Sequence, residues 1–427
     1  MGRQARLLTI EFEMLRPFAR YFLFFVLAWL TGMCSQNGIF VPQPCKFQVP
    51  TSPLPYATRL SLEGVYHVVA GNKNLGVDFV CKASRDKLSF FTNVKGIVII
   101  LDAAMEADST LRFAGFWRVS EYIETGEICL AMDKKKGSEF LTHKVGPVGL
   151  QLTGTFSSIQ AKDNAITLEY VRGFSPSAIS DSLAIFGHHG VETNGNPPFT
   201  ENSLEAFRQA EAYGATALEV DVRLTRDNVP VLYHDVDLNY RLVQKQGVLA
   251  NIDQVSWDLL KSSIRLTDGQ RIPSVEQALT LAVDSTNLRY VWLDIKGNPD
   301  VFKYLEPIVR TAMSRASSKG RKITIITDIP STEVLAEYYK QPSYAGLPLM
   351  YELGLDKAVE LGCKYWGPRW TEGTLVEEVK RAHGLGMDVY AWTINSEKYV
   401  QVYLNADFDG LITDYPAYAA FHHYIKP

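Results

Sequence analysis

The sequence predicts an α/β protein whose larger part, residues 180–427, is a (β/α)8 barrel, preceded by a small all-β domain over 57–174. Beyond Pro176, apolar strand-like runs alternate with amphipathic helix-like stretches, the grammar of a parallel barrel. Before it, short alternating runs recur about every ten residues between glycines and polar pairs, which favours a sandwich or small barrel. Composition permits both. The 427 residues are 46% hydrophobic and 21% charged, enough apolar material for a sizeable core, so a wholly disordered chain is excluded. The 43 Lys plus Arg against 47 Asp plus Glu leave a net charge of -4, and no basic stripe with interleaved aromatics exists to neutralise a phosphate backbone. Nucleic acid is excluded as a partner.

In chain order, residues 1–34 read as a signal peptide or signal anchor. Arg3, Arg6, Arg16 and Arg20 precede an apolar centre at 21–30, which ends in Thr31, Gly32, Met33, Cys34 and Ser35. The apolar centre is short for a bilayer span, so cleavage is favoured and the protein is expected to be extracytoplasmic, either secreted or membrane-tethered. Residues 35–56, with prolines at 42, 44, 50, 53 and 55, read as an extended linker. Runs at 65–70, 77–81, 88–91, 96–101, 111–118, 127–132, 148–155 and 165–170 supply the β-domain, whose role is not readable. Five cysteines at 34, 45, 81, 129 and 363 lack any zinc spacing. Cys81 with Cys129 is the disulfide to test first, and the alternative is that each is a small buried apolar residue.

The barrel strands are expected at 183–186, 217–222, 290–295, 322–327, 347–351, 364–367, 388–393 and 410–413, with helices at 203–213, 274–283 and 374–383 among the connections. In such a fold, chemistry collects where strands end and loops begin. The first strand ends in Gly187-His188-His189-Gly190, and Thr200-Glu201-Asn202-Ser203 opens the following helix. In the second, alternation sends Glu219 and Asp221 to the same face, toward the axis. Two uncompensated carboxylates there would repel, whereas a divalent cation between them, Ca²⁺ or Mg²⁺ by the all-oxygen donor set, removes the cost. A salt-bridged polar layer is the alternative. Residues 222–235 are too short for a crossover helix and read as a hairpin with its tip near Asp227-Asn228, which returns His234 opposite Asp221. The third strand places Trp292, Asp294 and Lys296 on one face. Three carboxylates, two histidines and a lysine at one mouth suggest attack on a phosphodiester. The metal would hold a phosphate oxygen, Lys296 would offset charge, and the histidines would move protons.

These residues, His188-His189-Gly190, Thr200-Glu-Asn-Ser203, Glu219-x-Asp221, His234-Asp235, Asp294-Ile-Lys296, Trp392-Thr-Ile-Asn395 and Gly410-Leu-Ile-Thr-Asp-Tyr-Pro416, together resemble the glycerophosphodiester phosphodiesterase family in the order of its motifs, over about 183–418. The resemblance implies a TIM barrel of the phosphoinositide-phospholipase-C type. It implies a divalent ion on Glu219, Asp221 and Asp294, with His188 and His234 as acid and base. Lys296, Trp392, His189 and Glu201 fall on the substrate side. The implied nucleophile is water, or the hydroxyl next to the phosphoester acting through a cyclic phosphate. Three positions depart from the family pattern: His189 stands where it has Arg, Asp294 where Glu is usual, and Thr200 where it has Pro. An Arg grips phosphate with a fixed fork that His lacks, so His189 bears on affinity or substrate choice.

The implied substrate is a small-molecule or lipid phosphodiester, either a glycerophosphodiester or a lysophospholipid, with a membrane surface as a further partner and the oligomeric state left open. Two other readings compete. One keeps the barrel and makes it a phospholipase D-type enzyme on sphingomyelin or lysolipids; the other makes it a catalytically weak binding protein. The intact pair of histidines and three carboxylates argues against the second.

Overall fold

The computed structural model describes residues 44–427 apart from 48, 50, 122–123, 144–145, 158–162, 181–182, 192–198 and 246–248. The expected signal segment 1–34 and the first part of the linker lie outside the described residues.

The N-terminal part is a meander of antiparallel strands, β2 (Gly64–Gly71), β3 (Asp78–Ala83), β4 (Leu88–Phe91), β5 (Val98–Glu106), β6 (Leu111–Arg118), β7 (Thr125–Met132), β8 (Gln151–Phe156) and β9 (Asn164–Arg172). Each pairs with the next, and β9 returns to β2, so the sheet closes on itself and leaves no edge to aggregate. Alternation fills the interior with Tyr66, Phe79, Cys81, Phe90, Ile99, Leu101, Phe113, Leu130 and Leu168.

Two expectations are corrected here. The Pro-rich stretch is not wholly a linker, because β1 (Thr51–Pro53) adds to β5 and Tyr56–Leu60 is helical. The disulfide joins Cys45, not Cys81, to Cys129, with Cα atoms 5.8 Å apart. Parity explains it. Cys81 is fully buried inside the small barrel, whereas Cys129 lies between the inward Ile128 and Leu130 and so faces outward, where the chain at Cys45 runs past. The other free cysteine among the described residues, Cys363, is buried packing.

The second sheet contains eight parallel strands: β10 (Ala184–Gly187), β11 (Ala217–Leu224), β13 (Tyr290–Ile295), β14 (Thr324–Ile329), β15 (Leu349–Tyr351), β16 (Tyr365–Trp366), β17 (Asp388–Ala391) and β18 (Gly410–Thr413). They close through β10 with both β11 and β18, and the short β12 (Pro230–Leu232) pairs antiparallel with β11 as the predicted hairpin. The expected barrel is the observed one, since each expected run overlaps one of these strands. Among the described residues, helices α1 (Leu204–Gln209), α2 (Val275–Ser285), α3 (Val301–Ser318), α4 (Thr332–Tyr339), α5 (Leu355–Glu360), α6 (Val376–Gly384), α7 (Glu397–Leu404) and α8 (Pro416–Tyr424) follow the eight strands in turn. Local chemistry sets their starts: Ser203 caps α1 through the Ala206 amide, Ser274 and Gln277 form a reciprocal capping box on α2, and Pro416 opens α8.

The barrel axis is plugged by Phe186, Trp292, Ile326, Met350, Tyr390 and Ile412, one inward residue from each of six strands. Two residues further along, the same faces carry His188, Asp294, Asp328, Glu352, Trp392 and Asp414. A greasy floor thus supports a polar mouth at the C-terminal strand ends. Between β12 and α2 an excursion closes over its own small core of Tyr233, Leu238, Leu242, Ile252, Leu260 and Leu266.

Candidate active site

His188 leaves the end of β10 with its Nδ1 2.6 Å from Asp414 Oδ1 and its Nε2 3.8 Å from Glu219 Oε2. Asp414 is itself fixed, for Asn395 donates Nδ2 to its Oδ2 at 2.6 Å and accepts its backbone N–H at 2.8 Å. His234, delivered by the hairpin, repeats the device with Nδ1 2.7 Å from Asp235 Oδ1. A carboxylate at Nδ1 favours the tautomer that carries its proton there. Each histidine thus has one ring nitrogen held by a carboxylate.

Glu219 and Asp221 are buried on the inward face of β11, and Asp294 faces them from β13, in register with Asp221. Their carboxylates offer ligand atoms within 4.8 Å of one another. The buried oxygens Glu219 Oε1 and Asp294 Oδ1 have no hydrogen-bond donor among the described residues, whereas Asp221 Oδ1 lies 2.9 Å from Lys296 Nζ. Burial first, and the Asp221 charge second, push the Glu219 carboxyl up to about 7. Such an all-oxygen set fits a divalent cation, which would add positive charge that a single Lys296 ammonium does not supply to three carboxylates. Asp221 is held well below the usual carboxylate range: burial opposes this, but His189, Lys296 and His234 surround it with positive charge. Two further groupings, His188 with His189 and Glu219, and His189 with Asp221 and His234, also meet the distance condition.

Lys296 places Nζ 2.9 Å from Asp221 Oδ1 and 2.6 Å from Asp294 Oδ2. Burial works against its charge, but those two carboxylates prevail and raise its pKa. Arg223 braces the site from below by donating to the backbone carbonyls of His234, at 3.0 and 2.7 Å, and of Lys296, at 3.3 Å.

His189 is 6% exposed. Its ring lies 3.7 Å from that of His188 and 4.8 Å from that of His234, with Nε2 3.4 Å from Asp221 Oδ2. It adopts a left-handed φ of 53°, which His tolerates better than most residues, and Gly190 follows at φ 98°, where a Cβ would come within 2.8 Å of Ala206. The sequence places His189 on the substrate side; the structure packs it between the two histidines and against the acids. Glu201 is likewise buried and takes a two-pronged ion pair from Arg241, at 2.6 and 3.0 Å. Trp392 donates Nε1 to Gly367 O at 2.8 Å, and the Arg369 guanidinium lies 4.7 Å over its ring.

Several residues escaped the sequence reading. Asp235 and Asp414 sit inside quoted motifs, where the habit of pairing a histidine with an acid could have found them. Asn202, in the left-handed region at φ 56°, both donates to Asp221 Oδ2 at 2.6 Å and accepts its backbone N–H at 3.1 Å. Arg241, Asp328 and Glu352 carry no local signal.

Fold and mouth define a parallel barrel whose C-terminal strand ends gather three carboxylates and two carboxylate-paired histidines. The model of the glycerophosphoryl diester phosphodiesterase family matches residues 188–418, just over half of the chain. The chain belongs to that family and is a phosphoric diester hydrolase. It is 24% identical over 238 residues to a glycerophosphodiester phosphodiesterase of Caldanaerobacter subterraneus subsp. tengcongensis, covering 54% of this chain and 94% of that protein. It is 33% identical over 126 residues to glycerophosphodiester phosphodiesterase 1 of Mus musculus, covering 28% of this chain and 36% of that protein. Among solved structures, a glycerophosphodiester phosphodiesterase from Parabacteroides distasonis aligns with a TM-score of 0.45 at 23% identity, over 55% of this chain and 94% of that one. An Oleispira antarctica phosphodiesterase in complex with the product sn-glycerol-3-phosphate aligns with a TM-score of 0.45 at 19% identity, over 57% and 97%.

Proposed function

We propose that the protein is a metal-dependent phosphodiesterase that hydrolyses glycerophosphodiesters to an alcohol and glycerol phosphate, or the related lysophospholipids to an alcohol and an acylglycerol phosphate, by paired-histidine catalysis. The observation that carries the reading is the pair of dyads, His188 with Asp414 and His234 with Asp235, flanking one acidic triad. Glu219, Asp221 and Asp294 would hold a divalent ion, Ca²⁺ or Mg²⁺, which supplies a Lewis acid for a phosphate oxygen. Lys296 brings a fixed cation to the same phosphate. One histidine takes the proton of the nucleophile at Nε2 and the other gives a proton to the departing alcohol oxygen, each ring oriented by its carboxylate, and proton exchange with solvent restores both for the next cycle. Trp392 walls the mouth on the β17 side. His189, between the two dyads and against Asp221, takes the region where the family carries an Arg, and only as a protonated ring would it offer a cation there.

The protein is further inferred to work outside the cytoplasm. The N-terminal basic and apolar segment supports this, as does the Cys45–Cys129 disulfide, a bond that persists in oxidising compartments.

The test is hydrolysis of glycerophosphocholine and lysophosphatidylcholine by the full chain, with Ca²⁺, Mg²⁺ or EDTA, beside His234→Ala. The expected result is product release that EDTA abolishes and that falls by about 10²-fold to 10⁴-fold in the variant. Turnover indifferent to EDTA would sink the metal role, and turnover indifferent to His234 would sink the acid-base assignment.

A further inference from the structure

Three side chains at the mouth meet in a way that proton transfer does not require. His189, Asp221 and His234 bring one ligand atom each within 4.8 Å of the others, and two of the three donors are imidazole nitrogens. The grouping differs in chemistry from the all-oxygen triad of Glu219, Asp221 and Asp294, with which it shares only Asp221. The two oxygens of Asp221 face different neighbours. Oδ1 lies 2.9 Å from Lys296, which also reaches Asp294, whereas Oδ2 lies 3.4 Å from His189 Nε2. Oδ2 accepts from Asn202 Nδ2 at 2.6 Å as well, and a carboxylate oxygen has a second lone pair. One carboxylate can therefore serve both groupings.

The surroundings of the two imidazoles match what a metal-bound histidine needs. A ligating ring gives its other nitrogen to a carboxylate or carbonyl, which fixes the tautomer and makes the ligand more basic. His234 Nδ1 is 2.7 Å from Asp235 Oδ1, which leaves Nε2 as the ligand atom. His189 points Nε2 toward Asp221 while its Nδ1 lies 3.8 Å from Glu201 Oε1. The Arg241 guanidinium holds both of those outer carboxylates, so the two rings share one brace.

The remaining mixed grouping, His188 with His189 and Glu219, is a poorer cage. The rings of His188 and His189 lie 3.7 Å apart at only 34°, so their lone pairs run side by side instead of converging, and Glu219 Oε2 already accepts the His189 amide at 2.9 Å. Between His189 and His234 the separation is 4.8 Å and the angle 51°. Two imidazoles and one carboxylate suit a borderline ion such as Zn²⁺, with a fourth position left open, whereas Mg²⁺ and Ca²⁺ favour oxygen alone.

We propose that His189, Asp221 and His234 form a zinc-binding site, distinct from the acidic triad, whose occupancy inhibits the enzyme. With Nε2 committed to the ion, His234 can neither take nor give a proton. The inhibition rests on the phosphodiesterase reading above; the binding does not.

The test titrates ZnCl₂ into the full chain in excess Mg²⁺, and in parallel in excess Ca²⁺, following bound metals by equilibrium dialysis beside turnover of glycerophosphocholine. The wild type should take up one equivalent of zinc without releasing the hard ion. Turnover should fall in step with zinc occupancy and return when the zinc is chelated. His189→Asn and His234→Ala should each weaken zinc binding by more than about 10²-fold, because losing a ligand costs more than losing an outer partner. The His234 side chain is 39% exposed, so its replacement spares the packing. Asp235→Asn should weaken binding by about 10-fold, and His188→Ala should bind zinc as the wild type does. Co²⁺ in place of zinc should give the strong visible absorption of a four-coordinate ion, lost in His189→Asn. Zinc that displaces the hard ion one for one, or that binds with the same affinity in His189→Asn and His234→Ala, overturns the site. So does an affinity lost equally in His188→Ala. Zinc bound as expected with turnover unchanged overturns the inhibition. Zinc bound as expected in a protein that never turns over the ester sinks the phosphodiesterase reading, while the zinc site stands.

Discussion

Asp414 raises the proton affinity of His188. Burial and the neighbouring His189 both favour the neutral ring, yet the hydrogen bond to Asp414 and the charge of Glu219 raise its pKa above that of an ordinary histidine. A raised pKa keeps the proton on His188 to higher pH, so whichever role needs the protonated ring survives further into the alkaline range. Replacing Asp414 by Asn removes the anion while leaving the residue's shape. The expected outcome is an alkaline limb of the kcat profile that moves to lower pH, with a loss of about 10²-fold at its optimum. An unmoved limb would show that His188 is not the titrating group. At this scale the sequence was legible where one strand's alternation sufficed: Glu219 with Asp221, and Asp294 with Lys296, face inward as their period dictates. It was illegible where two distant segments meet. No local pattern says that Asp414 will reach His188, 226 residues earlier in the chain, or that Arg241 will reach Glu201.

Among the elements, the excursion between β12 and α2 has the largest effect on the site. Its residue Arg241 donates to Asp235 from Nε at 3.1 Å and Nη2 at 2.8 Å while gripping Glu201, so one guanidinium joins the loop after β10 to the loop that carries His234. Burial opposes a charged Asp235, but the hydrogen bonds from Arg241, Asn239 and His234 hold its carboxyl well below the usual range. A carboxyl with a depressed folded-state pKa stabilises the fold above the unfolded value, about 4, and loses that contribution as the pH falls toward its folded value. Arg241→Met leaves the buried Glu201 without its fork. Because the guanidinium is about half exposed, the expected cost is moderate, on the order of 1–3 kcal/mol in urea unfolding at pH 7. The gap to wild type should narrow as the pH falls below about 4. Arg241→Lys should recover charge but not the two-pronged geometry, leaving His234 less well oriented and kcat lower. The hairpin itself was legible because 222–235 is too short for a crossover helix. The excursion beyond it was not, since its core is assembled from scattered single residues such as Leu238, Ile252 and Leu266 that show no sustained period.

On the scale of the whole molecule, every described residue belongs to one compact unit, and the two sheets share a core. The same alternation that sends Phe79, Cys81, Phe90, Ile99 and Leu101 into the small barrel sends Val80, Phe91, Val98 and Ile100 outward, where they join a single apolar cluster with Tyr213, Tyr418 and Ala420. The junction is close. A Cβ at Gly214, which holds a left-handed φ of 100°, would meet Phe91 at 3.3 Å and Ala420 at 3.1 Å. Polar links seal its rim, with Tyr418 O–H donating to Glu121 at 2.6 Å, Arg172 donating to Ile425 O at 2.6 Å, and the Lys82 ammonium 4.6 Å over the ring of Tyr424. Across the small barrel's outer wall, the Cys45–Cys129 bond closes 84 residues, and Cys45→Ser is expected to cost at most about 4 kcal/mol, read as a lower midpoint in chemical unfolding of the oxidised protein.

The shared core makes a stronger claim than the disulfide does. If the small barrel were an appendage, residues 176–427 alone would fold and turn over substrate as the full chain does. Removing it instead uncovers Tyr213, Tyr418 and Ala420, while touching neither the acidic triad nor the two histidine–carboxylate pairs. The isolated segment should therefore bind a hydrophobic dye, lose several degrees of thermal stability and self-associate, and any fraction that stays monomeric should keep its KM. A full-chain variant with Phe91→Arg and Val98→Arg should reproduce the lost stability without deleting anything, because it buries two unpaired charges at the same junction. A truncated barrel as stable as the full chain would show that the apolar cluster spanning the two sheets contributes nothing to holding the fold.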